Sequence, residues 1–525
     1  MILNDESIQN KNLWESKGFI LPMYDRTAVR EKTQKEPVWL HFGAGNIFRS
    51  LAAVIGQNLL DKGLLDKGII VAESYDPEII DVAYKPFDDL SVSVILKADG
   101  NIEKTVIGSV VESIKIDDNG ISRLEEIFAA KNLQFITLTI TEKGYSLKGG
   151  DGFVLPDIEA DYKTGPSAPK SFLGRLAALC YHRYENGAVP LTLVSMDNCS
   201  RNGSRLFEAV HSFATQWADN NLIDNGFIKY VEDNTCLSFP WTMVDKITPG
   251  PDDEVATILE ETGLEGMSGT KTSKGSHISA FVNAEESEYF IIEDVFPNGR
   301  PLLDKAGVIL TNRETVEKVE KMKVCTCLNP LHTGLAIFGC LLSYSKISDA
   351  MKDKSMKKLV QSIADEGLPV VVDPVIISPL EFVDTVINVR FPNPFIPDTP
   401  QRIATDTSLK IPIRFGETLK AYAAGGPDVN KLIAIPLVLA GWLRYLHGVD
   451  DNGSVFPISP DPILSSGITN TVLSAGESGI TALLANTGMF GADLIKVGIA
   501  QRVAEYYSLM IKGPGSVRKL LNEIL

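Results

Sequence analysis

Residues 38–50 read VWLHFGAGNIFRS: the alternating apolar residues Val38, Leu40 and Phe42 run straight into Gly43-Ala44-Gly45, then into residues that can open a helix. A strand that stops at a Gly-X-Gly turn and enters a helix is a βα unit. It either cradles a phosphate at the helix N-terminus or simply turns a corner. The full dinucleotide fingerprint carries a third glycine, and position 48 is Phe. The surrounding chain has to decide between the two readings.

Further β-rich runs follow: GIIVAES (68–74), FITLTI (135–140) and PLTLVSMD (190–197). They are nearly continuous apolar stretches, as in parallel strands buried on both faces. Helix-like segments lie between them at 122–131 and 171–187, and this alternation predicts a doubly wound α/β sheet. The stretch 151–170, rich in Pro, Gly and Asp, reads as a loop, and 288–296 as one more strand before the turn PNGRP. From about residue 305 the pattern is helical, broken by a Pro-rich, irregular crossing at 391–413. The expected organisation is α/β: an N-terminal Rossmann-type doubly wound sheet over 1–303, followed by a mostly α-helical domain over 304–525. A chain of 525 residues is too long for one ordinary core, which agrees with two domains.

In a doubly wound sheet the first turn faces the crevice where a dinucleotide pyrophosphate binds. Glycine is needed there because a Cβ would hold the phosphate off the backbone N–H groups. The next strand ends in Glu73, followed by Asp76. An acid at that strand tip accepts hydrogen bonds from the adenosine ribose and repels the extra phosphate of NADP, so NAD is the expected cofactor. The spacing of 28 residues from Gly45 is longer than the usual figure of roughly 20. A solvated surface acid is the plain alternative for Glu73.

Hydride chemistry also needs an acid/base and donors for developing oxyanion charge. The segment MKVCTCLNPLHTG (322–334) offers Lys323, Asn329 and His332. Asn329 and His332, three apart, share a helix face, and Lys323 lies within about 120° of it at roughly 100° per residue. A lysine between Met322 and Val324 can lose hydration, which lowers its pKa towards the working pH. A surface lysine, a capping asparagine and a core histidine would have the same spacing. The six cysteines are too sparse for a disulfide scaffold, and the C-x-C at 325–327 lacks a second ligand pair of metal spacing. No metal is expected.

The net charge of −17 (50 basic, 67 acidic residues) argues against nucleic acid and anionic membranes as partners. The longest apolar run, Leu432 to Leu443, is shorter than the roughly 20 residues a bilayer requires, and Pro436 in its middle suggests a kinked, buried helix. The polar N-terminus lacks a signal-peptide pattern, so a cytoplasmic protein is expected. Oligomeric state is not legible.

Several co-linear segments carry a family resemblance: HFGAGNIFR (41–49), LTITEKGY (138–145), SMDNCSRNG (195–203), FPWTMVDKITP (239–249), EDVFPNGRP (293–301), LNPLHT (328–333) and RFPNP…RIATDTSLKIP (390–412). The chain resembles the polyol-specific long-chain dehydrogenases, the mannitol dehydrogenase family that includes mannonate oxidoreductases and tagaturonate reductases. The resemblance implies NAD as cofactor and a metal-free reaction on a small sugar acid or polyol. It gives Phe42, Gly43, Ala44, Gly45, Asn46, Ile47, Phe48 and Arg49 as the dinucleotide turn, with Glu73, Thr141 and Glu142 also on the cofactor side. Glu142 resembles a carboxylate near the catalytic lysine. It implies Lys323 as general acid/base, Asn198 and Asn329 as amide donors to the reacting oxygen, and His332, Asp245, Arg402 and Lys410 as groups holding the substrate. The family pattern is K-x4-N-x2-H, whereas this chain reads K-x5-N-x2-H, an extra residue that a π-bulge can absorb. Arg402 with Lys410 could meet an aldonate carboxylate. Mannonate/fructuronate is the first expectation, then tagaturonate/altronate, then mannitol/fructose. A catalytically silent NAD-binding regulator and a zinc dehydrogenase are the rivals from other classes.

Overall fold

The computed structural model describes the backbone of residues 1–525 and the side chains of all but 118–119 and 475–479. The chain divides into two compact units, Met1–Lys97 with Asn101–Val316, and Ala98–Gly100 with Glu317–Leu525.

The first unit is organised by six strands: β1 (Trp39–Phe42), β2 (Ile69–Glu73), β3 (Val110–Lys115), β4 (Phe135–Leu138), β5 (Leu191–Ser195) and β6 (Leu237–Ser238). They pair in parallel in the order β3-β2-β1-β4-β5-β6, which is the doubly wound dinucleotide-binding topology. The two-residue side-chain period is visible in the core. Leu40, Phe42, Ile70, Ile136, Leu138 and Leu193 pack on one face beneath helices Phe172–Glu185 and Asn202–Asp219. Trp39, Ile69, Val71, Phe135 and Val194 pack on the other, against helix Ala53–Asp61. Burial on both faces is why these strands read as near-continuous apolar runs. Three smaller sheets are also found in the unit, one of four strands (Phe19–Ile20, Ile102–Ile107, Ser91–Leu96, Phe281–Glu285), one of three (Thr242–Asp245, Tyr289–Glu293, Ile309–Thr311) and one of two (Thr270–Lys271, His277–Ile278). The presumed loop at 151–170 contains a helix, Pro156–Thr164. Its start is proline at the first helical position and its end is Gly165, so the same residues that suggested a loop are its terminators.

His41 on β1 is fully buried, with Nδ1 2.6 Å from the Thr137 hydroxyl and its ring stacked on Phe48 at 4.0 Å. Burial pushes its pKa down to about 3. The unfolded chain therefore takes up a proton below pH ~6.5 that the folded imidazole refuses, so stability is complete above that pH and is lost as pH falls. At pH 5.5 this group alone should cost about 1.4 kcal/mol. A urea midpoint measured at pH 7.5 and 5.5 should fall accordingly; an unchanged midpoint would show that His41 charges in place.

The second unit is helical. Its central helix, Asn329–Leu341, packs against Lys354–Gly367, Pro400–Ala404 and Ala434–Tyr445. A Cβ at Gly334 would stand 2.5 Å from Ile363 Cδ1, so glycine lets these helices approach. The helical run Arg313–Leu341 is long and apolar enough to cross a bilayer, but 78% of its most apolar window is buried inside the protein. Pro436 is not in the middle of its helix: the helix begins at Ala434, so proline falls in the first turn, where an N–H has no intrahelical partner anyway. The Glu366 carboxylate accepts from the neighbouring N–H groups of Ile433, Ala434 and Ile435 at 2.5, 2.6 and 2.8 Å. The Pro-rich crossing resolves into two short helices, Pro400–Ala404 and Thr407–Arg414.

Candidate active site

The carboxyl ends of β1, β2, β4 and β5 lie side by side in one sheet, so the segments that follow them share one edge. Gly43, just after β1, has φ +110°, and a Cβ there would lie 2.4 Å from the Thr139 carbonyl oxygen. The sheet itself therefore demands glycine at this position. Gly45 is different: around its Cβ position there is nothing within 4 Å. The turn between them is pinned from both sides, since the Ala44 N–H donates to Glu73 Oε2 at 2.7 Å and the Ala44 carbonyl accepts from the Tyr84 hydroxyl at 2.8 Å. Glu73 also accepts from the N–H groups of Tyr75 and Asp76 at 2.7 and 3.0 Å, and is only 6% exposed. Open space beside Gly45, over a helix start whose first N–H groups lack intrahelical acceptors, fits a dinucleotide pyrophosphate.

The other residues of the turn separate by burial. Asn46 and Ile47 are partly exposed, and Asn46 donates to the Pro249 carbonyl at 3.2 Å. The side chains of Phe42, Ala44, Phe48 and Arg49 face inward, which leaves their backbone as what these positions offer a cofactor. Phe42 packs edge-on to Phe172, and Phe48 stacks on His41. Arg49 is fully buried; it donates to the Ser279 carbonyl and Asn46 Oδ1 at 2.5 and 2.8 Å. Phe42 ends β1 and Ala44 lies in the turn, while Phe48 and Arg49 are buried residues of the helix that follows. Glu73 likewise spends its carboxylate on backbone N–H groups rather than presenting it as a free surface acid.

After β4, Thr141 takes φ +64°, a conformation that costs a non-glycine residue of order 1–3 kcal/mol. Asp197, after β5, holds it there. Its carboxylate accepts from the N–H groups of Ile140 and Thr141 at 3.0 and 2.9 Å and from the Tyr145 hydroxyl at 2.5 Å. Burial pushes the Asp197 pKa up, against those hydrogen bonds. This clamp fixes the backbone next to the exposed Asn198. Glu142 points outward, 2.9 Å from Arg205 and 62% exposed. Asp245 is buried at the end of a strand, paired in register with Tyr289. The Asp197–Tyr145 clamp escaped the sequence reading, although SMDN and EKGY both lie in segments carrying the resemblance.

In the second unit, Lys323 is 3% exposed and starts a π-helical turn, Lys323–Cys327, between helix Arg313–Met322 and helix Asn329–Leu341. Asn329 stands at the first position of the latter helix and His332 one turn later. The His332 ring packs on Phe391 at 5.0 Å. Its Nε2 lies 3.4 Å from Asp398 Oδ2, within ion-pair range but too poorly directed for a hydrogen bond. Burial lowers the His332 pKa, Asp398 opposes, and the charges of Arg414 and Arg402 add to the fall. Arg402 is engaged by Asp398 as well. Lys410 donates to the carbonyls of Ile403 and Thr405 at 2.9 and 2.5 Å, and burial, helped by Arg414 and Arg402, pushes its pKa down to about 8. Lys323, Asn329 and His332 thus stand along one helical stretch, and His332, Arg402, Lys410 and Arg414 form a charge-coupled cluster. Asn198, Asp245 and the dinucleotide turn belong to the first unit.

The strand order and the glycine turn define a Rossmann-type dinucleotide-binding protein. Sequence comparison is more specific: residues 38–305 match the mannitol dehydrogenase Rossmann domain and residues 315–511 the mannitol dehydrogenase C-terminal domain. The chain belongs to the mannitol dehydrogenase family. It is 48% identical to a D-mannonate oxidoreductase of Thermotoga maritima, across 100% of this chain and 99% of that one. Among solved structures, it is similar to a Pseudomonas fluorescens mannitol 2-dehydrogenase in ternary complex with NAD and D-mannitol (TM-score 0.71, 26% identity, 100% of this chain and 99% of that one). The fold is also that of a substrate-free D-sorbitol dehydrogenase (TM-score 0.83, 23% identity, 99% and 100% coverage).

Proposed function

We propose that this NAD-dependent dehydrogenase, acting on a CH–OH group, interconverts D-mannonate and D-fructuronate with a lysine rather than a metal as its acid/base. The observation that carries the reading is the 48% identity, over the full length of both chains, to a D-mannonate oxidoreductase. NAD, when bound, supplies or accepts the hydride. Gly43 shapes the pyrophosphate turn, Gly45 leaves room for the phosphates, and Glu73 holds the Ala44 peptide in place. In the reducing direction Lys323 gives its Nζ proton to the ketone oxygen, and the side-chain amides of Asn198 and Asn329 donate to the developing alkoxide. His332, Asp245, Arg402 and Lys410 orient the sugar acid. Oxidation reverses each transfer.

The test is the rate of NADH oxidation by the purified chain with D-fructuronate, D-tagaturonate, D-fructose and D-fructose 6-phosphate, with and without a chelator. D-fructuronate should show the highest kcat/KM, and the chelator should leave it unchanged. A higher value for tagaturonate or fructose would replace the substrate; NADH binding without turnover would favour a regulator.

A further inference from the structure

Four cationic or ionisable groups cluster in the helical unit, and their counter-charges are unevenly shared. His332 and Arg402 both face Asp398. Lys410 is held by two carbonyls and feels the carboxylates of Asp406 and Asp461. Arg414 has no such company. Its Nη1 donates to the Asn329 carbonyl at 3.3 Å and to the Thr333 hydroxyl at 2.6 Å, and among the described residues no carboxylate forms an ion pair with it. The guanidinium is half-buried, and burial lowers its pKa to about 10. A desolvated cation without a counter-ion costs free energy that a stable fold ordinarily avoids.

The geometry around Arg414 makes that cost meaningful. Its two hydrogen bonds tie one nitrogen to the first turn of helix Asn329–Leu341, the turn that also carries Asn329 and His332. Nε and Nη2 carry no acceptor among the described residues, and neither is sealed from solvent. Those two nitrogens form the edge of a guanidinium that grips a carboxylate through parallel hydrogen bonds. A neutral polyol would leave the edge and its charge unanswered, while a sugar acid answers both.

We propose that Arg414 is the receptor for the substrate carboxylate and the residue that sets the preference for a sugar acid over the corresponding neutral sugar. The assignment rests on the reading of this chain as a sugar-acid dehydrogenase, and it moves the carboxylate from Arg402 and Lys410 to a different residue. Arg402 and Lys410 keep their places along the hydroxyls.

The experiment compares two matched pairs, D-fructuronate with D-fructose and D-tagaturonate with D-tagatose, in the full-length wild type and in Arg414→Gln and Arg414→Lys. In each pair a terminal carboxylate replaces a CH2OH. Wild type should favour the acid. Arg414→Gln should lower the acid-to-neutral ratio of kcat/KM by about 100-fold, mostly through KM, the scale of a lost charge-assisted bidentate contact. Arg414→Lys, which keeps the charge and loses the fork, should fall between, and it also serves if the Gln variant does not fold. Tagaturonate preferred over fructuronate would overturn the D-mannonate reading but leave the Arg414 effect visible in the second pair. A ratio that stays within threefold in both pairs, or a wild type indifferent to the carboxylate, would overturn the assignment of Arg414.

Discussion

The Lys323→Ala variant should bind NADH normally and reduce its substrate roughly 10²–10⁴-fold more slowly, the usual contribution of a positioned acid/base. Its side chain is buried at the π turn that precedes Asn329. A proton donor in that position acts on the transition state, so the loss should fall on kcat and on kcat/KM alike, with KM little changed. The proposed cofactor turn at Gly43–Gly45 belongs to the other compact unit, so cofactor affinity should be spared. Single-turnover reduction alongside a fluorescence titration with NADH separates the two quantities. Added small primary amines should restore part of the rate. Turnover within tenfold of wild type would mean that another group carries the proton.

The second large effect separates two glycines that look alike in the sequence. Gly43→Ala forces a Cβ to within 2.4 Å of the Thr139 carbonyl at a backbone angle of φ +110°. Strain and overpacking together should cost roughly 3 kcal/mol, enough to lower the melting temperature by several degrees and to disturb the turn. Gly45→Ala meets no atom within 4 Å, so the fold should tolerate it. The new methyl group would instead stand where the pyrophosphate is proposed to lie, and NADH affinity should drop with the melting temperature intact. Equal thermal losses in the two variants would show that Gly45 is structural too, and unchanged NADH affinity in Gly45→Ala would move the cofactor elsewhere.

Much of the architecture was legible because burial on both faces of a parallel sheet writes apolar runs into the sequence. Four of the six strands, β1, β2, β4 and β5, stood out this way. β3 did not: Glu112 and Lys115 interrupt its apolar pattern, and it pairs on one side only, with β2. Of the small sheets only Tyr289–Glu293, expected at 288–296, was read; the rest escaped for a related reason, since strands such as Ile102–Ile107 are only partly covered and carry Glu103 and Lys104. Pro436 and the 151–170 stretch misled because proline breaks a helix from within and starts one at its first turn, a distinction that depends on where neighbouring carbonyls fall. At the site, motifs located segments but not directions. Phe48 and Arg49 sit within a recognisable turn and still point into the core. Arg414 belongs to no motif quoted above, and its significance lies in the carboxylate that does not face it, which only three-dimensional packing reveals.

The π turn at Lys323–Cys327 falls inside the K-x5-N interval, where the family pattern implied by the resemblance is one residue shorter. Five steps of ordinary winding rotate by about 500°. Six steps at roughly 4.4 residues per turn, the pace of i→i+5 bonding, rotate by about 490°. Were all six steps to keep that pace, the inserted residue would be almost silent in azimuth and Lys323 would stay on the same side of the rod. Correspondence between such chains is better judged by heading than by counting letters, and a column that sets Val324 against a relative's lysine would compare side chains about a quarter-turn apart.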